Sequence, residues 1–191
     1  MSINPEAYIH EKALIEEGVT IGRKTRIWAF VHILPDVMIG DDCNICDHAL
    51  IENTVILGNR VTVKSGVYIW SGVIIEDDVF IGPCVAFTND IIPRSKQHLG
   101  KYPETILKQG CSIGANSTIL PGIEIGKHAM IGAGSVVTRS IPDHGLYYGN
   151  PAEFHGWICS CGEKLQFMNY HAKCNCGLTY KLENGKQVIL D

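Results

Sequence analysis

The chain has 191 residues, 46% of them apolar, enough for one domain of good size and a small appendage. Its 16 basic and 20 acidic residues leave a formal net charge of −4, which offers nucleic acid no electrostatic hold. Apolar stretches are short and broken by charges, and the start MSINPEAYIHEKA lacks the basic and apolar blocks of an export signal. The expected setting is therefore the cytoplasm, away from membranes, where eight cysteines read as reduced thiols or metal ligands before disulfides.

Stepping by six from Ile9, the chain places Ile15, Ile21, Ile27, Ile33, Ile39, Ile45, Ile51, Leu57, Val63, Ile69, Ile75, Ile81 and Phe87 in unbroken register. Two residues before each hit from Ile15 onward stands a small or β-branched residue, from Ala13 and Val19 to Val79 and Val85. A pair separated by one residue on an extended chain faces the same side, so each small-x-aliphatic unit reads as a short strand with two inward side chains. A period of six excludes an amphipathic helix and predicts an all-β parallel solenoid whose coils stack. Gly22, Gly40, Glu52, Gly58, Glu76 and Gly82, directly after the aliphatic position, are expected to serve the tight corners.

The count fails after Phe87 and resumes at Leu107, followed by Ile113, Ile119, Ile125, Ile131 and Val137. Thr88 to about Ile106, with Pro93 and Pro103, is thus expected to be extruded from the solenoid, and long excursions from a rigid repeat usually serve function.

The hexads, the extrusion and a closing Tyr148-Gly149-Asn150-Pro151-Ala152 resemble the left-handed β-helix acyltransferases over about residues 3–155. Trp70-Ser71-Gly72, Glu76-Asp77-Asp78-Val79-Phe80, Gly82-Pro83, Phe87-Thr88-Asn89-Asp90 and Pro93-Arg94-Ser95 resemble the branch that N-acetylates the 3-amino group of UDP- or dTDP-linked sugars. The resemblance implies the left hand, since parallel crossovers otherwise favour the right. It also implies a homotrimer with sites between subunits, acetyl-CoA lying along the coils, and a role in surface polysaccharide biosynthesis.

An amine attacking a thioester must be neutral, oriented, and able to lose a proton. By the resemblance, Asn89 orients the sugar amine and the departing CoA thiolate takes the proton; an amide is no base. Asp90 is the other candidate for proton handling, although Asp after Asn at a loop start also suits a turn. Arg94 suits a diphosphate or a carboxylate. Trp70, after inward Ile69, is expected to face outward toward a partner subunit or ligand, beside Ser71, where the family commonly carries an acidic or amide residue. Gly114-Ala115-Asn116 and Gly132-Ala133-Gly134 are candidate pantetheine turns, and Arg139 a candidate phosphate partner. No GxxxxGK[ST] or GxGxxG string occurs.

The histidines contain no pair five apart, which argues against the zinc site of the γ-type carbonic anhydrases. His98, in the extrusion, is a candidate base if the acceptor is instead a hydroxyl of a small sugar or amino acid. A non-catalytic scaffold is the third reading. Beyond Gly156 the hexads give way to Cys159-Ser160-Cys161-Gly162 and Cys174-Asn175-Cys176-Gly177, two CxCG units that resemble the knuckles of a four-thiolate zinc ribbon over residues 156–191. Such a zinc ion would be structural, because a ribbon this short lacks a core of its own. Cys43 and Cys111 fall on small inward positions, whereas Cys46 and Cys84 follow no pattern.

Overall fold

The computed structural model describes residues 2–97, 100–184 and 187–190, and among them no helix occurs. Two-residue strands pair in parallel at an interval of 18 residues, as in Ser2 with Thr20 and Ile3 with Ile21. Three hexads therefore complete one coil, and the coils build three faces. The first face runs from Ser2–Ile3 to Glu124–Ile125, the second from Tyr8–Ile9 through Met130–Ile131, and the third from Leu14–Ile15 to Val136–Val137. This is a three-sided β-solenoid of about 8 turns, in keeping with the hand that the resemblance implies.

The inward aliphatics fill the prism. Ile21, Ile27, Ile33, Ile45, Ile51, Ile69, Ile75, Ile81, Leu107, Ile113 and Ile119 are all essentially without solvent contact. Each such side chain contributes about 1.5–3 kcal/mol of burial free energy, which is how strands of two residues persist. Cys43 and Cys111 occupy the small inward positions, and burial raises both thiols, Cys111 to about 12. They are core residues rather than reactive ones.

The corners differ from the sequence expectation. The left-handed backbone falls on the third residue after the aliphatic, at Gly18, Lys24, Phe30, Asp36 and so on to Asn116, Gly122, His128 and Gly134. The glycines directly after the aliphatic are not left-handed; they are small because the next coil lies against them. A Cβ on Gly40 would come to 2.6 Å from the carbonyl oxygen of Gly58, and one on Gly114 to 2.7 Å from the Cα of Ala133. At the edge between the first and second faces, polar side chains also stack. Asp41 accepts from the Arg23 amide, Asn59 from the Asp41 amide, and Asp77 from the Asn59 amide at 2.7–2.9 Å. The Asn59 amide holds the Asp77 carboxyl below its ordinary value, and Arg60 does the same for Asp78.

The extrusion leaves after Ala86–Phe87 and ends at Thr105–Leu107. Ile106, expected inside the loop, is a strand residue, and Thr105 is a buried small inward residue. Each rung that crosses the loop, Ile75 to Leu107, Ile81 to Ile113 and Phe87 to Ile119, steps 32 residues where the rungs before it step 18.

The tail continues the second face rather than standing apart. Gly145–Tyr148 pairs in parallel with Met130–Ile131, then antiparallel with Glu153–Ile158, which pairs with Lys164–Leu165. The expected division after His155 thus falls inside a strand. His171–Lys173, Thr179–Glu183 and Gln187–Leu190 form a separate sheet over a small core of Trp157, Leu165, Tyr180 and Val188.

The two glycine classes separate experimentally. Gly40→Ala drives a methyl into the coil above and should cost about 1–3 kcal/mol. Gly134→Ala meets nothing within 4 Å and should cost only the left-handed penalty of about 1 kcal/mol. Thermal melts of both variants should show the larger loss at Gly40.

Candidate functional site

Both feet of the extrusion are tied to neighbouring coils. At the entrance, Trp70 donates its indole N–H to the Phe87 carbonyl at 2.9 Å, and the amide and hydroxyl of Thr88 both reach the Ile119 carbonyl at 3.1 Å. At the exit, the Thr105 amide donates to the Gly72 carbonyl at 2.9 Å while its hydroxyl accepts from the Gly122 amide at 3.0 Å. Trp70 was expected to face outward; it is instead half-buried against the core, since its indole spans the gap to the coil that releases the loop. Tyr68 meets it edge-on, with ring centroids 6.1 Å apart.

Between the feet, Asn89 and Asp90 are half-buried, and neither side chain makes a hydrogen bond among the described residues. Their polar groups are free for a ligand. Arg94 is exposed at the loop tip, where its guanidinium donates to the Pro93 carbonyl at 2.8 Å, and Ile91 and Ile92 are 65% and 70% exposed. His98 lies outside the described residues.

A cleft of about 260 Å³ opens on the first face under the returning loop. Ser71, Thr54 and Ile74 line it from the coils, and Lys101, Tyr102 and Glu104 from the loop. The Ser71 amide donates to Glu52 at 2.7 Å and its hydroxyl to the Asn53 carbonyl at 3.0 Å, so Ser71 is a fixed wall. Lys101, Tyr102 and Glu104 escape sequence reading because a loop carries no period to mark which residues turn back.

The glycine turns lie across the third face from Asn89. Gly114, Ala115, Gly132 and Ala133 form the edge between the second and third faces, and their lack of bulk already serves stacking: a Cβ on Gly132 would meet the Cβ of Tyr148 at 2.7 Å. Gly134 has open space around it. Between this edge and the loop, the third face presents Ala86, Thr118 and Val136 in cross-strand register, a floor of small side chains bounded by Tyr68, which pairs with Ala86. Arg139 is exposed beyond the last strand of that face. The structure therefore divides the predicted residues: Ser71 lines the cleft, Asn89 and Asp90 stand on one edge of the third face, and the glycine turns stand on the other.

The tail brings Cys159, Cys161, Cys174 and Cys176 together, their four sulfurs all within 4.8 Å of one another. Cys159 lies 3.5 Å from Cys176, and Cys161 3.5 Å from Cys174. Tetrahedral coordination at a zinc–sulfur distance of about 2.3 Å sets sulfurs about 3.8 Å apart, so the spacing suits one such ion. The two knuckles have the same form: Gly162 and Gly177, both left-handed, donate to the carbonyls of Cys159 and Cys174. Burial opposes ionisation of Cys159, but the Cys161 amide and the Tyr180 hydroxyl outweigh it and hold the thiol at about 7.

The chain is 58% identical over 184 residues to the dTDP-3-amino-3,6-dideoxy-alpha-D-galactopyranose 3-N-acetyltransferase of Aneurinibacillus thermoaerophilus, covering 96% of this chain and 95% of that protein. The chain belongs to the hexapeptide-repeat acetyltransferase family. The bacterial transferase hexapeptide family, with six repeats, matches residues 104–139, and the GMPPB C-terminal domain family matches residues 1–101. The galactoside O-acetyltransferase of Lactococcus lactis is 31% identical over 59% of this chain and 49% of its own. Among solved structures, a variant of AntD, an N-acyltransferase from Bacillus cereus in complex with dTDP and coenzyme A, superimposes with a TM-score of 0.51. It is 25% identical, and the match covers 82% of this chain and 83% of that one. As a member of this acetyltransferase family, the chain is an enzyme.

Trp70→Phe removes the tie between the loop entrance and the coil below while keeping an aromatic ring. Stability should fall by about 1 kcal/mol, and the steady-state rate should fall with it as the loop entrance loses its anchor to the Trp70 coil. Melting and steady-state rates on the purified variant check both.

Proposed function

We propose that this enzyme transfers the acetyl group of acetyl-CoA to the 3-amino group of a dTDP- or UDP-linked amino sugar, in the cytoplasm, for surface polysaccharide biosynthesis. The observation that carries the reading is the near-full-length identity to a 3-N-acetyltransferase, joined to two unengaged polar side chains at the foot of a tied loop. Arrangement and chemistry agree. The pantetheine arm lies on the small-residue floor of the third face, between the Gly114 and Gly132 turns and Asn89. Arg139 meets a phosphate of coenzyme A, and Arg94 the diphosphate of the sugar nucleotide, with Ser71 as a wall of the sugar side.

Asn89 accepts a hydrogen bond from the sugar amine and aims its lone pair at the thioester carbonyl. The nitrogen–carbon bond forms, the carbon–sulfur bond breaks, and the departing thiolate takes the proton that nitrogen loses. Asp90 is the other acceptor for that proton. The products are the amide and free coenzyme A, and no strong base is required.

The working unit is a homotrimer. Met38, Ile56 and Tyr68 on the outer faces are 41–51% exposed, and Ile91 and Ile92 stand out on the loop; neighbouring copies cover them and close the site. In the tail, Cys159, Cys161, Cys174 and Cys176 hold one zinc ion. Four thiolates leave it no open position, so it supplies structure and no chemistry.

Acetyl-CoA turnover against a panel of amino sugars and galactosides tests the reaction. Turnover should appear with nucleotide-linked 3-amino sugars, and Asn89→Ala should lower kcat by about 100-fold. Turnover confined to hydroxyl acceptors, or no binding of acetyl-CoA, overturns the reading in favour of the O-acetyl or scaffold alternative. For the tail, atomic emission on protein purified without chelator should find one zinc per chain, and its removal should lower the melting temperature.

A further inference from the structure

Tyr180 is the largest fully buried side chain among the described residues, and its hydroxyl ends at the cysteine cluster. The phenolic oxygen lies 3.1 Å from the Ser160 amide, 3.1 Å from the Ser160 hydroxyl and 3.2 Å from the Cys159 sulfur. The Ser160 amide can only donate, so the phenolic oxygen accepts there, and its one proton has two acceptors in reach, the Ser160 hydroxyl oxygen and the sulfur, of which a thiolate is the stronger. No other cysteine of the cluster has a hydroxyl partner among the described residues.

The opposite side of Cys159 is held by the solenoid. His144, at a left-handed corner of the last coil, accepts from the Ile158 amide through its own carbonyl at 2.7 Å. Its Nδ1–H donates back to the Ile158 carbonyl at 2.9 Å, which fixes the tautomer. The His144 ring meets the Tyr180 ring edge-on, centroids 5.2 Å apart, and the His128 ring lies 5.2 Å away on its other side. Cys159 is thus gripped through the peptide before it by His144, and through its sulfur and the amide after it by Tyr180.

We propose that Tyr180 is a positioning residue of the metal centre, donating to the Cys159 thiolate, and that with His144 it links metal loading to closure of the solenoid's C-terminal end. The inference rests on the zinc reading above and deepens it. A hydrogen bond to a ligand sulfur favours the thiolate over the thiol and fixes its direction, and loss of such outer partners costs about 10–100-fold in metal affinity. Because His144 belongs to the last coil, ordering Cys159 orders the Met130–Tyr148 rung beneath it.

The test uses the full chain with zinc alone, competed against a chromophoric chelator. Tyr180→Phe keeps the ring and should weaken zinc binding by about 10–100-fold, whereas Ser160→Ala, which keeps the phenol–sulfur bond, should stay within a few-fold of wild type. Loaded with cobalt, Tyr180→Phe should move the sulfur-to-metal charge-transfer band to longer wavelength, a shift that a merely structural loss does not produce. Hydrogen exchange on the wild type needs no variant: stripping zinc should speed exchange at the amides of Ile158, Ser160 and Gly132. Zinc binding and a cobalt band unchanged in Tyr180→Phe, or exchange unaffected by zinc, overturn this inference and leave the metal site standing. A wild-type chain that binds no zinc overturns both.

Discussion

Each coil is stable only because another lies on it. A two-residue strand has almost no ladder of its own, so the energy resides in the 18-residue register that sets Ile on Ile up the prism. That close approach dictates much else. It demands glycine where one corner rests on the next, it brings Asp41, Asn59 and Asp77 close enough to bond the amides below, and it leaves no slack through which a long segment can enter the core. The extrusion has to leave the prism entirely, and the coils above and below hold its feet.

The candidate site follows from the same stacking. A corner fixes its residues by register, so the edge carrying Asn89 and the edge carrying Gly114 and Gly132 face each other across one face whose width is that of a two-residue strand and its corners. The floor between them is flat because Ala86, Thr118 and Val136 are small. The prism is a rigid base for this candidate site, and the loop carries its half-buried polar side chains, Asn89 and Asp90.

The period of six and the small inward partners made the solenoid legible, because core positions in a repeat are constrained by the same contact again and again. The extrusion was legible as a failure of that count, although its end was misplaced: Ile106 offers no sign that Thr105 had already re-entered the core. The role of the corner glycines was misread, since sequence does not distinguish a glycine required for its backbone angle from one required for its missing Cβ. Trp70 looked like a surface aromatic because alternation places it outward; the bond to the Phe87 carbonyl depends on a coil that sequence does not set beside it. Lys101, Tyr102 and Glu104 carried no pattern at all. The cysteine pairs were legible by spacing, but not the bond from Tyr180, which comes from a strand that no motif links to them.

The tied feet of the extrusion have a wider consequence. Thr88 and Thr105 are anchored to coils that do not belong to the loop, so the register above and below is indifferent to what is written between them. Stacking does not dictate the length between these anchors, because the 18-residue register simply resumes beyond the loop. Asn89 and Asp90 stand just past the first anchor, so they travel with the segment, and a change near its entrance acts on the candidate site directly.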